Sequence, residues 1–264
     1  MNPLQPKTVA LLREEIRSAS REEFEVLKRA LVADERKGVK AALATAQKRF
    51  DAEDAEIARI EGLYAFQAEK AQGKVLMGLD EVGRGPVAGP LTIGAVVLPD
   101  EPHILGLNDS KQLSHERREE LSVIIKDTAL AWTIQHISPQ EIDEEGMSAC
   151  LRLAFSRAIA AIDAQMDVQV VLLDGNPLHI DEREVNVIKG DAHCASIAAA
   201  SIIAKVERDQ MMIDYAKDYP EYGFEKSKGY ASADHIEAIQ TYGLSPIHRK
   251  SFCTSFLEKQ QTLF

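Results

Sequence analysis

The sequence predicts an α/β protein, a sheet layered with helices, preceded by a small all-α segment. Two observations carry this. Residues 6–72 are rich in Ala, Glu, Lys, Arg and Leu, have no proline after Pro6, and hold only Gly38 and Gly62 as glycines. Strong helix formers without breakers favour helix throughout. From Lys74 onward, short apolar β-rich runs alternate with longer stretches of helical periodicity, as expected where helices connect the strands of one sheet.

The elements follow in order. Ser20, with Glu23 three residues on, forms a capping box before Phe24, Leu27 and Leu31 at helical spacing. Two or three short helices are expected there. Residues 75–79 form an apolar run ending in Asp80-Glu81-Val82-Gly83-Arg84-Gly85-Pro86, and 91–98 a β-rich run ending at Pro99. Residues 114–128 read as an amphipathic helix and 131–137 as a strand. Ser138 or Pro139 opens what reads as one long helix reaching about Asp163. Residues 168–173 are a buried strand stopped by Asp174-Gly175-Asn176-Pro177, and 185–188 a short strand before Lys189-Gly190-Asp191. A long helix over about 192–217, a final helix near 232–242 and a tail complete the chain. The division expected is a helical extension over 1–72 and a catalytic domain over 73–264, with the second part folding alone.

No apolar run approaches the ~18 residues that span a bilayer, and charges interrupt the N-terminus early, so a cytoplasmic protein without membrane contact is expected. Cys150, Cys194 and Cys253 have no CxxC spacing and read as buried small hydrophobes. The net charge is −11, which argues against a polyanionic partner. The first 73 residues are balanced in charge, so the excess lies beyond them. Binding a polyanion would require local basic groups and metal cations. One local basic stretch, Arg36, Lys37, Lys40, Lys48 and Arg49, lies in the helical extension and reads either as a duplex-contacting face or as a solvated helix face.

The acids are the most informative feature. Three strands each end in a carboxylate beside glycine: Asp80-Glu81 near Gly83, Asp174-Gly175, and Gly190-Asp191. In α/β sheets, sites collect at the carboxyl ends of strands because the following loops converge there. Successive strand side chains point to opposite faces, so Asp80 and Glu81 serve one site only if the strand bulges or ends there. Four converging carboxylates with few basic neighbours suit hard divalent cations, magnesium or manganese. Two such ions, roughly 3.5–4 Å apart, would clamp the attacking water and leaving oxygen of a phosphodiester. Each acid also has a plain reading: Asp-Gly as a turn, Asp191 as a helix N-cap, Glu81 as a strand-end charge.

The run Met77-Gly78-Leu79-Asp80-Glu81-Val82-Gly83-Arg84-Gly85-Pro86 resembles the opening signature of the ribonuclease HII family. Asp109-Ser110-Lys111-Gln112-Leu113-Ser114, Lys189-Gly190-Asp191 with the small-residue helix after it, Gly223-Phe224, Lys228-Gly229-Tyr230 and His248-Arg249 continue the resemblance in order to about residue 255. It implies an RNase H-like mixed sheet flanked by helices, with a C-terminal helical section. The implied enzyme is a monomeric endonuclease acting on RNA/DNA hybrids and on duplex DNA containing ribonucleotides. It cuts 5′ of the ribonucleotide and leaves a 3′-hydroxyl and a 5′-phosphate. By the resemblance, Asp80, Glu81, Asp174 and Asp191 are catalytic and hold manganese or magnesium. Gly83, Arg84 and Gly85 read the ribose 2′-hydroxyl, and Tyr230 packs on the sugar.

Arg84 alternatively pairs with Glu81, and Tyr230 alternatively is a core aromatic. Asn108 and Lys111 are candidate phosphate contacts before a helix, with N-capping by Ser110 or Ser114 as the alternative. His193, next to Asp191, reads either as a metal or phosphate contact or as an exposed helix-start residue. His248 and Arg249 read as supporting residues. The rivals are ribonuclease HIII, another RNase H-fold nuclease, and a non-catalytic nucleic-acid-binding protein. Arg84 between two glycines and the absence of strand signals in 1–72 favour the HII type over HIII. All four acidic positions remain acidic, which disfavours the non-catalytic reading.

Overall fold

The structure, a computed structural model, describes residues 7–257. It divides into two compact units, Met1–Arg59 and Ile60–Phe264. In the first, α1 (Val9–Ser18) and α2 (Arg21–Ala30) precede α3 (Lys37–Ala71), which runs across the unit boundary. Ser20 forms the expected capping box with Glu23. Leu12, Ile16, Phe24, Val39, Ala46 and Phe50 make its core. Where a third short helix was expected, α3 is one helix of 35 residues. No proline interrupts it, and a single Gly62 costs only ~1 kcal/mol relative to alanine. The basic stretch is largely occupied locally. Arg36 grips Asp34, Lys40 bonds Glu35, and Arg49 donates to the carbonyls of Arg17 and Ala19.

The second unit is built on a five-stranded mixed sheet: β1 (Leu76–Val82), β2 (Leu91–Val97), β3 (Ala131–Ile137), β4 (Val170–Asp174) and β5 (Glu184–Val187), in the spatial order β3-β2-β1-β4-β5. The first three strands form an antiparallel meander, and β1 pairs parallel with β4 and β4 with β5. Around it lie α4 (His115–Thr128), α5 (Pro139–Glu145), α6 (Met147–Asp163), α7 (Ala195–Asp218), the short α8 (Phe224–Ser227), α9 (Ala233–Tyr242) and α10 (Lys250–Leu257). None of these helices is long and apolar enough to cross a membrane.

Strand alternation divides the core. Met77, Leu79, Ile93 and Ala95 face α6 through Ala154, Phe155, Ala158 and Ile162. Leu76, Leu172 and Val187 pack on Ile197 of α7 from the other face. There α7 lies against the sheet at backbone distance. A Cβ on Gly78 would come within 2.5 Å of Ile197 N, and one on Gly94 would strike the Ala200 carbonyl. The last turns of α3 belong to this unit: Ile60, Leu63 and Tyr64 join the core under α7, and Gln67 Oε1 accepts from Ser196 N at 2.9 Å.

Several expectations are corrected. The long helix expected from 138 to 163 is two helices, broken at Gly146, whose φ of 79° leaves the helical region. The segment read as a tail contains α10. Asp191 is not an N-cap: it sits in a 3-10 turn, Gly190–Ala192, and α7 starts later, after Cys194. Ser114 caps α4, whereas Ser110 is buried against Ser201 at 3.0 Å. The three cysteines are buried and free.

Gly94→Val should lower the urea-unfolding stability by on the order of 2–3 kcal/mol, because overpacking strikes backbone here. Gly62→Ala, which meets nothing within 4 Å, should raise it by ~1 kcal/mol. Deletion of residues 1–59 should leave a cooperatively folding remainder. Deletion of 1–72 also removes Ile60, Leu63, Tyr64 and Gln67, and should lower the urea midpoint well below that of the shorter deletion.

Candidate metal centre

Asp80 and Asp174 are neighbours by register. Leu79 of β1 pairs with Leu173 of β4, so the next residue on each parallel strand is a carboxylate. Both lie on the face that meets α7, as Gly78 and Leu172 do. A tight turn closes the third side. Lys189 adopts a left-handed conformation (φ 56°), and Gly190 N donates to Asp174 Oδ1 at 2.6 Å. Asp191 then enters the same space. One carboxylate oxygen from each of Asp80, Asp174 and Asp191 lies within 4.8 Å of the others.

Glu81 stands outside that group. The β1–β2 register continues through Glu81↔Ile93 and Val82↔Thr92 without a bulge, β1 ends one residue later at Val82, and Glu81 stays within electrostatic reach of Asp174. It pairs with Arg84 at 3.6 Å. His193 is exposed beside the Phe66 ring and is not one of the clustered ligands.

The electrostatics suit a bound cation. Burial pushes Asp80 up to about 8, with Glu81, Asp174 and Asp191 adding repulsion against a bond from Ser201. Asp191 is raised by burial and then by Asp109 and Asp174, with Lys111 opposing. Burial also raises Glu81, with Arg84 opposing and Asp174 adding. The donors are all oxygen, without thiolate or imidazole, and such a set suits a hard divalent cation. The three aspartates could therefore hold a metal ion.

The other expected site residues surround this group. Lys111 is exposed, with Nζ 3.6 Å from both Asp109 and Asp191. Asn108 Oδ1 accepts from Asp109 N. Tyr230 is 49% exposed rather than a core aromatic. It lies over Gly85, where a Cβ would sit 4.0 Å from its ring. Arg84 is exposed apart from its contact with Glu81.

Sequence reasoning gave Arg249 a supporting role but missed Arg208 and the carbonyls that the two arginines hold. Arg208 and Arg249 are fully buried. Arg249 donates to the carbonyls of Gly83, Arg84, Pro86 and Gly89, and Arg208 to those of Ala88, Pro90 and Lys228. Gly83, at φ 92°, has no room for a Cβ because Arg208 fills that space. Tyr230 is fixed from behind by a histidine relay. Ser245 N–H donates to His248 Nδ1, so the His248 proton sits on Nε2 and faces His235 Nε2 at 3.0 Å. His235 Nδ1–H then donates to the Tyr230 carbonyl at 2.8 Å. Burial, and then His235, push His248 down to about 4, consistent with two neutral rings. Asp109 is a further acid at the site, in contact with Asp191. Its motif was visible in the sequence, as was His248-Arg249, whereas Arg208 was singled out by no motif.

Comparisons with known proteins give the family of the chain. The family model "Ribonuclease HII" matches residues 77–255, and "Ribonuclease HII N-terminal domain" matches 8–71. This chain belongs to the ribonuclease HII family. It is 46% identical to a Ribonuclease HII of Clostridium acetobutylicum over 85% of this chain and 89% of that one. It is 40% identical to a Ribonuclease HII of Shouchella clausii over 94% of both. The crystal structure of ribonuclease H2 from Pyrococcus horikoshii is 28% identical, with a TM-score of 0.59 over 71% of this chain and 99% of that one. The fold is RNase H-like, and the chain is an RNase H endonuclease. The RNase H family acts on nucleic-acid hybrids.

For this ribonuclease HII, the raised Asp80 makes metal-free stability depend on pH. Its folded pKa of about 8 lies above the ordinary 3.8. Between those values an unfolded chain releases the proton and the folded one keeps it, so folding loses stability as pH rises toward 8. Asp80→Asn removes that loss. In the metal-free protein, the gain in Tm from Asp80→Asn should be larger at about pH 8 than at about pH 4. Equal gains at both would show that Asp80 is not protonated in the folded apo site.

Proposed function

We propose that the chain hydrolyses the RNA strand of RNA/DNA hybrids and cuts on the 5′ side of ribonucleotides embedded in duplex DNA, leaving a 3′-hydroxyl and a 5′-phosphate. The observation that carries this reading is the convergence of three aspartates beside a glycine-arginine-glycine loop whose carbonyls are tied inward. Asp80, Asp174 and Asp191 hold the metal, manganese or magnesium, and Glu81 completes the set from the strand end. Two such ions would supply the positive charge that activates water and stabilises the leaving oxygen.

The chain's own residues position the substrate. The 2′-hydroxyl is what distinguishes a ribonucleotide from its DNA neighbours. With the carbonyls of Gly83 and Arg84 held by Arg249, the loop offers its amides to that hydroxyl, and Gly85 leaves room for the sugar below Tyr230. Arg84 swings from Glu81 to an adjacent phosphate, a bidentate partner for its guanidinium. Asn108 and Lys111 contact the backbone on the Asp191 side. The chemistry lies in residues 73–264, with 1–72 as an extension and residues 60–71 supporting the fold of the catalytic part. A cytoplasmic monomer serving DNA replication and repair accords with such a substrate.

The test is metal-stimulated nicking of a duplex with one embedded ribonucleotide, against a matched all-DNA duplex. Asp80→Asn, Asp174→Asn and Asp191→Asn should each reduce cutting by more than the ~10–100-fold typical of residues that only orient a ligand. Gly83→Val and Arg84→Ala should weaken cutting more than duplex binding, because phosphate contacts supply most affinity. Near-wild-type turnover by the aspartate variants would overturn the metal assignment. Undiminished ribonucleotide preference in the loop variants would overturn the sugar-reading role.

A further inference from the structure

A protein of net charge −11 that acts on a polyanion needs positive charge concentrated where the polyanion lies. One cluster beside the aspartates has this property. On α7, Lys205 Nζ bonds Asp209 Oδ1 at 2.8 Å. Arg118 of α4 approaches the other Asp209 oxygen at 3.9 Å. Lys228, on the loop that carries Tyr230, lies within electrostatic reach of Asp209, Lys205 and Arg118, with Glu225 as a further acid on its own turn. Three cations thus surround one carboxylate that is only 4% exposed, while Lys205, Arg118 and Lys228 are each partly open to solvent. Burial, and repulsion from Lys205 and Arg118, push the Lys228 ammonium below its ordinary value, a cost that an anion would relieve.

Each cation is fastened to a different part of the catalytic site. Lys205 is one helical turn beyond Ser201, which bonds Asp80, so it sits ~6 Å along the α7 axis from that contact. Arg118 donates to the carbonyls of Ser110 and Leu113, the turn from which Lys111 reaches Asp191. Lys228 has its carbonyl held by buried Arg208 at 3.0 Å, and the next residue, Gly229, accepts from Val87 and Ala88 of the glycine-arginine-glycine loop. The cluster is therefore tied to three parts of the site through α7, the Ser110 turn and the Lys228 loop.

We propose that Lys205, Arg118 and Lys228 form a phosphate-binding subsite that grips one backbone phosphodiester of the substrate duplex away from the bond being cut. Asp209 holds Lys205 and Arg118 in place and leaves the cluster net positive. This rests on the reading that duplex nucleic acid is the substrate. The subsite supplies affinity and register without touching the reacting atoms.

The experiment measures binding of the full chain to a non-cleavable all-DNA duplex over a salt series, and cleavage of the one-ribonucleotide duplex. Variants are Lys228→Gln, Lys205→Gln and, as a control on the same helix, Lys217→Gln, whose side chain pairs with Asp214. Loss of one phosphate contact should flatten the log-affinity versus log-salt slope by ~0.9 in Lys228→Gln and Lys205→Gln, and raise KM with kcat within about two-fold. Lys217→Gln should match wild type. Lys205→Arg should restore the slope. Should Lys205→Gln fail to fold, Lys228→Gln decides the matter. Wild-type slopes in the lysine variants, or a loss confined to kcat, would overturn the subsite. Failure of the ribonuclease reading would look different: wild type would cut the ribonucleotide duplex no better than all-DNA, whatever the slopes.

Discussion

The close approach of α7 to β1 and β2 is the constraint on which the site depends. Gly78 and Gly94 remove the side chains that would hold the helix away, and Ala198, Ala199 and Ala200 answer them from the helix. With α7 so near, Ser201 reaches Asp80 and Asp191, just ahead of the helix, reaches the strand ends. Gln67 of α3 then holds the start of α7, and the Gly190 amide closes the site against Asp174. A helix one side-chain layer further out would leave Asp80 and Asp174 paired without their third partner.

That geometry concentrates unfavourable charge. Desolvation and mutual repulsion raise Asp80, Glu81 and Asp191 together, so the folded apo protein carries an electrostatic cost that a divalent cation offsets. A few residues away the sign reverses. Arg208 and Arg249 are buried cations whose hydrogen bonds go to main-chain carbonyls, and burial lowers the pKa of both. A guanidinium stays charged under such pressure because its intrinsic pKa is so high. Its planar fork can also serve several carbonyls at once. The two arginines therefore determine the shape of residues 83–90 more firmly than the loop's own sequence does, since glycines there permit many conformations.

The same economy of anchoring links the sugar-facing and phosphate-facing parts of the site. Lys228-Gly229-Tyr230 bonds through its backbone to Arg208, Val87, Ala88 and His235. One segment thus places an exposed aromatic over Gly85 and an ammonium beside Lys205. Neutral histidines suit this role: two charged rings 3.0 Å apart would repel, and one proton between them satisfies both.

Much of this was legible in the sequence. The alternation after Lys74 implied the α/β sheet. The three acid-glycine strand ends implied a carboxylate site, because loops at strand ends must converge. Local chemistry also specified the Ser20 cap and offered Ser114, beside Ser110, for α4. The break at Gly146 was missed because a glycine inside a periodic run costs too little to mark a boundary by itself. Burial and long-range register were decided only by the tertiary structure. Nothing local shows that Arg208 and Arg249 are fully buried, or that Lys205 and Arg118 share Asp209. Periodicity reports which face of an element is apolar, whereas the positions of charges relative to one another depend on how α7 docks across strands far apart in the chain.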